Sequence, residues 1–249
     1  MRIASDLKLT QTQDDIFKQT GTKPRAKLLE FGLRRAQGPD GGMTASKYCI
    51  LGGFDATSNM LAGQRYGINI AGTHAHSYIN SFTDDAPRDA KTVTIEGHNI
   101  YEIAVQERSG ILKILEKSTE PKDMELHAFS VYAATYPDST ICLIDTYDTL
   151  GSGLINFLAV ATALKKIGKQ VKGIRIDSGD LAYISKECRN AFVKLENTGD
   201  NKFDGFSKII HRFLNDKTGF FFIFRFMKGS FRTPFLTILY QKLCFYDQR

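Results

Sequence analysis

Short apolar runs alternate with helix-length segments from Lys27 onward, and this alternation limits the possible folds more than any other feature of the chain. The runs have the length of strands, and the segments between them have helical periodicity and begin after turns that supply N-caps. Strand-helix repeats of this kind build a mostly parallel sheet covered by helices, so the sequence predicts an α/β fold. We predict strands at 27–31, 68–72, 140–144 and 171–176, and helices at 43–51, 57–66, 123–136, 152–167 and 180–195.

The composition changes sharply near residue 197. Residues 198–249 contain 11 of the 18 Phe residues and +5 of the net charge of +6, so the preceding part is nearly neutral. The Phe residues of this tail follow neither the period of a strand nor that of a helix, and Arg225 and Arg232 interrupt its apolar faces. We therefore divide the chain into a polar lead-in at 1–26, an α/β body at 27–196 and an irregular tail at 197–249, interpreted as a non-native continuation.

The tail is basic and aromatic, which leaves open stacking on single-stranded nucleic acid, an antiparallel hairpin or an amphipathic membrane contact. Because the body itself is nearly neutral, we expect neither nucleic acid nor a membrane as its partner. No apolar run approaches the roughly 18 residues of a membrane span, and the N-terminus has no apolar signal region, which predicts a cytosolic location. The four cysteines form no C-x-x-C pair, as is typical of reduced, buried thiols.

Polar clusters follow the predicted strands, where ligands of parallel sheets usually bind. In the first, Arg34 and Arg35 precede a glycine-rich turn and form either an anion site or a salt-bridge network with Asp40. In the second, at 52–59, Asp55 is either a ligand group or part of a helix cap.

The third cluster, Thr73 to Ser77, contains two histidines. His74 and His76 point to the same side of an extended segment, which allows a metal pair or a single nucleophilic or basic histidine. A buried structural histidine is the alternative, but the position at a strand end favours function.

The fourth cluster joins the polar residues after two strands. Asp145 and Asp148 follow one strand, while Arg175, Asp177 and Ser178 end the next. The carboxylates suit Mg²⁺ or ribose hydroxyls and the arginine suits an anion, although Ser178 or Asp180 is also a candidate N-cap of the following helix. Together the four clusters indicate a phosphorylated sugar substrate without naming the reaction.

In this order, five stretches of the chain resemble the nicotinate phosphoribosyltransferase family, a type II phosphoribosyltransferase family. The similarity extends over about 27–196, and the five stretches are 29–42, 51–59, 72–77, 144–148 and 173–180. The resemblance implies an irregular (β/α) barrel, incomplete in this chain, in an enzyme that is normally a homodimer. It also implies that nicotinate and 5-phosphoribosyl 1-diphosphate are joined with Mg²⁺ and with ATP hydrolysis, in cytosolic NAD salvage.

The resemblance assigns roles to individual residues. It makes His76 the residue that ATP phosphorylates, and Thr73 and Arg175 the nicotinate contacts. It assigns Mg²⁺ to Asp145 and Asp177. The expected phosphoribosyl and phosphate contacts are Arg34, Asp55, Asp145, Asp177 and Ser178.

The chain also departs from the family pattern, since it begins inside the N-terminal region of the family and the similarity stops near Glu196. We therefore expect an enzyme truncated at both ends. One alternative is a non-catalytic polypeptide that binds nucleotide weakly or pairs with a full-length subunit. A metal hydrolase that uses His74 and His76 is the third hypothesis.

Overall fold

The computed structural model describes residues 29–83, 92–215 and 220–224, and the chain divides into two compact units. The first unit comprises Met1–Thr73 and Arg212–Ile223, and the second comprises His74–His211 and Phe224–Arg249. The predicted lead-in at 1–26 lies outside the described residues. The predicted boundary at 196/197 does not coincide with the division into units and stays a prediction.

In the first unit, β1 (Leu29–Glu30) and β2 (Ala56–Thr57) pair in parallel. The strand predicted at 68–72 is reduced to a parallel bridge between Ile70 and Thr57. Two helices follow these strands, α1 (Gly38–Leu51) and α2 (Met60–Tyr66). The side chain of Asn59, rather than Asp55, caps α2 by accepting a hydrogen bond from the Ala62 amide.

The second unit is built around two parallel strands, β5 (Ile141–Leu143) and β6 (Gly173–Ile176). Their register places Leu143 opposite Arg175. The short helix α3 (His76–Ile79) opens the unit, and a hairpin of β3 (Thr94–Ile95) and β4 (His98–Asn99) follows it. The larger helices are α4 (Ile100–Leu115), α5 (Asp123–Thr135), α6 (Leu154–Lys166) and α7 (Leu181–Glu196).

Helix α6 forms the centre of this unit. All its residues from Leu154 to Leu164 are buried, because its sequence is apolar on every side and α4 and α5 pack against it. A single π-helical turn, Thr149–Gly153, leads into it and is capped by the Asp148 side chain. Only glycine fits at position 153, since a Cβ atom there would lie 1.8 Å from the carbonyl oxygen of Ile144.

The α/β class with parallel strands is confirmed, whereas closure into a barrel stays a prediction. The expectation of an irregular tail is wrong in part. β7 (Ile210–Asn215) and β8 (Phe220–Phe224) are strands, and β8 pairs antiparallel with β1 between Phe220 and Glu30. Pairing with β1 accounts for this difference. Phe has a high propensity for β-strands, so a run of Phe residues forms a strand beside an available strand edge even without a period of two. The tail residues 216–219 and 225–249 lie outside the described part.

The segment that directly follows α7 is ordered as well. It forms two 3₁₀ turns, Asn201–Phe203 and Phe206–Lys208, in which Phe203 and Phe206 are buried and their ring centroids lie 5.6 Å apart. None of the helices in the described ranges combines the length and the hydropathy of a transmembrane span.

Candidate active site

The ends of β5 and β6 meet at Asp145, whose side chain is only 1% exposed. Its Oδ2 atom accepts hydrogen bonds from the backbone N–H of Asp177 at 2.8 Å and from the Ser178 hydroxyl at 2.6 Å. Parallel neighbouring strands end at the same edge of a sheet, which is why residues so distant in the chain come together. The predicted fourth cluster is therefore a single structural feature.

The other oxygen of Asp145 faces His76. Its Oδ1 lies 3.2 Å from Nε2 of His76, the first residue of α3. The His76 side chain is 33% exposed, so one ring nitrogen is held by the protein while part of the ring is accessible from solvent. This pairing is typical of a histidine whose tautomer and orientation are set by a carboxylate.

Asp145 is ionised in this arrangement. Burial raises the pKa of the carboxyl, but the hydrogen bonds from His76, Ser178 and the Asp177 amide outweigh it and hold the pKa below its usual value. An ionised carboxylate only accepts hydrogen bonds, so Nε2 of His76 carries the proton between them. The Nδ1 atom of a neutral His76 ring then has the lone pair.

Arg175 and Asp177 are both buried beside this pair. Nη2 of Arg175 lies 3.6 Å from Oδ2 of Asp177, and their side chains are 7% and 6% exposed. A buried guanidinium requires negative charge or good hydrogen-bond acceptors nearby. Arg175 is therefore suited to bind a carboxylate or a phosphate at the end of β6.

His74 has a different environment from His76. The backbone N–H of Leu143 donates to its Nε2 atom at 3.1 Å, and the Tyr132 ring packs against it in a T-shaped arrangement at a centroid distance of 4.7 Å. Burial, followed by the charge of Arg175, lowers the pKa of His74 to about 3. His74 is thus a neutral ring with its proton on Nδ1, the tautomer opposite to that of His76.

The histidine pair therefore does not fit a metal site. The two Nε2 atoms are engaged by different partners, an amide and a carboxylate. Within the described ranges, no group of three or more His, Cys, Asp or Glu side chains is arranged to hold a metal ion. The hydrolase hypothesis has no geometric support at these two residues.

Magnesium at Asp145 and Asp177 also has to be tested against this geometry. Both oxygens of Asp145 already accept hydrogen bonds from protein groups, and Asp177 faces Arg175. Direct coordination of Mg²⁺, which needs oxygen ligands in near-ideal octahedral geometry, would have to replace some of these contacts. Magnesium binding at these two residues stays a prediction.

The remaining predicted residues lie in the first unit. Arg34 is exposed on a 3₁₀ turn, Leu33–Arg35, while Asp55 and Thr73 are partly buried. Each unit thus holds part of the predicted set. The second unit brings together His76, Asp145, Arg175, Asp177 and Ser178.

A buried carboxylate in the first unit was not predicted. Glu30 accepts hydrogen bonds from the Ser46 hydroxyl at 2.8 Å, the Thr57 hydroxyl at 2.7 Å and the Gly32 amide. The network ties β1, β2 and α1 together just before the turn that carries Arg34. A charged residue in an apolar strand was the available sequence signal.

Glu125 in α5 is a second unpredicted acid. Its Oε2 atom accepts hydrogen bonds from the Ser152 hydroxyl at 2.6 Å and the Asn156 amide at 3.2 Å, while Oε1 has no partner among the residues described. Burial raises the pKa of Glu125 to about 7, and the charges of Asp148 and Asp145 add to this effect. Glu125 lies between the apolar residues Met124 and Leu126 of α5, which was the missed signal.

Comparisons with known proteins show which sequences and structures this chain is similar to. No family model matches the sequence. The chain is similar to nicotinate phosphoribosyltransferase of Caenorhabditis elegans, with 47% identity over 203 residues that cover 78% of this chain and 36% of the relative. Its identity to nicotinate phosphoribosyltransferase 2 of Arabidopsis thaliana is 46% over 197 residues, which cover 76% of this chain and 35% of the relative.

Among solved structures, the fold is similar to the crystal structure of human nicotinic acid phosphoribosyltransferase. The TM-score is 0.67 at 39% identity, and the match covers 76% of this chain and 39% of the human chain. The chain therefore spans about a third of the length of the curated relatives that it matches.

Proposed function

This chain belongs to the nicotinate phosphoribosyltransferase family, and on that premise we propose that it joins nicotinate to 5-phosphoribosyl 1-diphosphate. A bond forms between the pyridine nitrogen and C1 of ribose, while the bond from C1 to the diphosphate oxygen breaks. The products are nicotinate mononucleotide and pyrophosphate, which places the reaction in NAD salvage. The observation that carries the proposal is the His76–Asp145 pair, joined to the end of β6 through Ser178 and the Asp177 amide.

We assign the coupling to ATP to His76. The lone pair on Nδ1 attacks the γ-phosphorus, the N–P bond forms, and the bond to the leaving ADP oxygen breaks. Asp145, held anionic by its three hydrogen bonds, balances the positive charge that develops on the ring. Water then cleaves the N–P bond and releases phosphate, so the net result is ATP hydrolysis.

The phosphoribosyl step itself develops positive charge on the ribose ring. Fixed carboxylates stabilise such charge without reorganising, and Asp145 and Asp177 are buried at the ends of β5 and β6 for this role. Arg175 is assigned to the carboxylate of nicotinate, because its guanidinium offers paired N–H donors in the same region. Phosphohistidine at His76 adds negative charge nearby and so changes the affinity for an anionic substrate.

The residues of the first unit complete the proposal. We assign Thr73 to nicotinate, and Arg34 and Asp55 to the phosphoribosyl group, on the family resemblance alone. A homodimer and a cytosolic location are proposed on the same ground. Mg²⁺ enters the proposal as the ion that accompanies ATP and the diphosphate, and none of the assigned steps depends on its binding to Asp145 or Asp177.

The test combines two measurements on the purified full chain. Nicotinate, phosphoribosyl diphosphate, Mg²⁺ and ATP are mixed with the protein, and nicotinate mononucleotide is quantified by chromatography. In parallel, γ-labelled ATP is added, and acid-labile label on His76 is mapped by peptide analysis. We expect both signals in the wild type and neither in His76→Ala.

The matched control is His98→Ala, because His98 is an exposed histidine of the β3–β4 hairpin and has no proposed role. Activity equal in wild type and His76→Ala would contradict the assigned role of His76. Nucleotide binding or association with a full-length subunit, without mononucleotide, would favour the non-catalytic alternative instead.

A further inference from the structure

The segment that carries both histidines lies along the end of β5. His74 contacts residue 143 and His76 contacts residue 145, so each contact joins residues that are 69 positions apart in the chain. Ala75 between them is extended, with φ −102° and ψ 167°, which directs both side chains to the same side. The two hydrogen bonds therefore form successive links between the same two segments.

The first of these links provides a hydrogen-bond acceptor for a backbone N–H group of β5. The Leu143 amide donates to the His74 ring at 3.1 Å, so an imidazole nitrogen takes the place that a neighbouring strand's carbonyl would occupy. Buried amide groups need an acceptor, and Leu143 is 0% exposed. The contact consequently anchors residue 74 at one defined point of β5.

The His74 ring is held firmly at this point. It is 7% exposed and is surrounded by aromatic rings at centroid distances of 4.7 Å for Tyr132, 5.4 Å for Tyr78 and 5.9 Å for Phe129. Helix α3, which begins at His76, has only four residues and cannot hold its own first residue rigidly. Tyr78 of α3 attaches this helix to α5, since its hydroxyl donates a hydrogen bond to the Ala128 carbonyl at 3.0 Å.

We propose that His74 is a positioning residue, which sets the register of the 74–76 segment on β5 and thereby places the His76 ring against Asp145. The proposal rests on the proposed function in that it takes His76 as the phosphate acceptor. Without the link to Leu143, the His76 ring loses its fixed distance to Asp145. A misplaced nucleophile is slow even when its chemistry is intact.

Two substitutions at His74 distinguish the hydrogen bond to Leu143 from a general role of this side chain in packing. In His74→Gln, the amide oxygen lies as many bonds from Cα as Nε2 does, so it can accept from Leu143. In His74→Asn, the amide oxygen corresponds to Nδ1 and cannot reach the same donor. His98→Gln serves as the control, since His98 is exposed.

The primary readout is the ¹⁵N chemical shift of the imidazole nitrogens in the full chain labelled with ¹⁵N at histidine and leucine, which does not require activity. The wild type is expected to have His74 in the Nδ1–H tautomer, with a scalar coupling across the hydrogen bond to the Leu143 amide. His74→Gln should retain the His76 shifts, and His74→Asn should change them. The label on His76 from ATP should stay within about threefold in His74→Gln and fall at least about tenfold in His74→Asn.

Unchanged His76 shifts in His74→Asn would overturn the proposal, as would equal effects of the two substitutions. If His74→Asn does not fold, the wild-type spectrum still decides, because an Nε2–H tautomer at His74 contradicts the hydrogen bond from Leu143. If His76 takes no label in the wild type while its shifts follow the expected pattern, the proposed function fails and the positioning role stands.

Discussion

Nε2 of His76 lies 3.2 Å from Oδ1 of Asp145, while the second oxygen of the same carboxylate accepts hydrogen bonds from Ser178 and from the amide of Asp177. One buried side chain thus joins a histidine of α3 to the ends of two strands. Oδ1 orients His76, and Oδ2 holds the ends of the two strands together. A substitution at Asp145 therefore affects both the local fold and the orientation of His76.

Replacement of Asp145 by Asn should destabilise the protein by about 2 to 4 kcal/mol at pH 7, because the amide cannot accept all three hydrogen bonds. The pKa of Asp145 is depressed in the fold, so its contribution is present above the unfolded value, about 3.9, and is lost as the pH falls through the folded value. Urea denaturation of both proteins between pH 7 and pH 3 should show the difference shrinking with acidity. A difference that is independent of pH would contradict the ionised state.

Gly153→Ala should destabilise the second unit by about 3 kcal/mol or more, because the added Cβ would lie 1.8 Å from the Ile144 carbonyl oxygen. Gly110→Ala is the matched control, since Gly110 is exposed in α4 with no atom within 4 Å of the added Cβ. The control should be neutral or stabilising by up to about 1 kcal/mol, as alanine favours a helix. Thermal and urea unfolding measure the stability of both variants. Equal losses of stability would show that the close approach of residue 153 to the Ile144 carbonyl does not exclude a side chain.

The Glu125→Gln variant should gain stability relative to the wild type as the pH rises. Burial raises the pKa of Glu125 from 4.5 to about 7, so the stability contribution of the protonated acid is complete below pH 4.5 and is lost as the pH approaches 7. Relative to the wild type, the variant should therefore gain on the order of 3 kcal/mol between pH 4.5 and pH 8. Unfolding free energies at several pH values test this, and a constant difference would mean that Glu125 does not take up a proton on folding.

Phe203→Ala should cost about 3 to 5 kcal/mol, because the ring is 1% exposed and packs against Phe206. The control is Tyr183→Ala, in which a 56% exposed ring is removed from α7. Chemical denaturation should show a large loss for the first variant and a small effect for the second. No loss in Phe203→Ala would mean that the organised region ends near Glu196.

Much of the second unit follows from local sequence. Acids follow the strands predicted at 140–144 and 171–176, and parallel strands end at a common edge, so Asp145, Asp177 and Ser178 could be expected together. The helices predicted at 123–136, 152–167 and 180–195 correspond to α5, α6 and α7.

Helix α4 was not predicted, although its buried residues Ile100, Ala104 and Ile111 have helical spacing and the Asn99 side chain caps it. Other elements depended on contacts that local patterns do not contain. The apolar run at 68–72 became a bridge at Ile70 alone, since a strand needs a partner along its length. Conversely, Phe220–Phe224 became a strand because β1 offered an edge.

By itself, the sequence determined that polar clusters would follow the strands and that His74 and His76 would point to the same side. Only the tertiary structure decided what each histidine does. The amide of Leu143 makes His74 an acceptor and burial keeps it neutral, whereas the carboxylate of Asp145 makes His76 a donor. Partners 69 residues away and their burial set these states, and neither is encoded in the spacing of the two histidines.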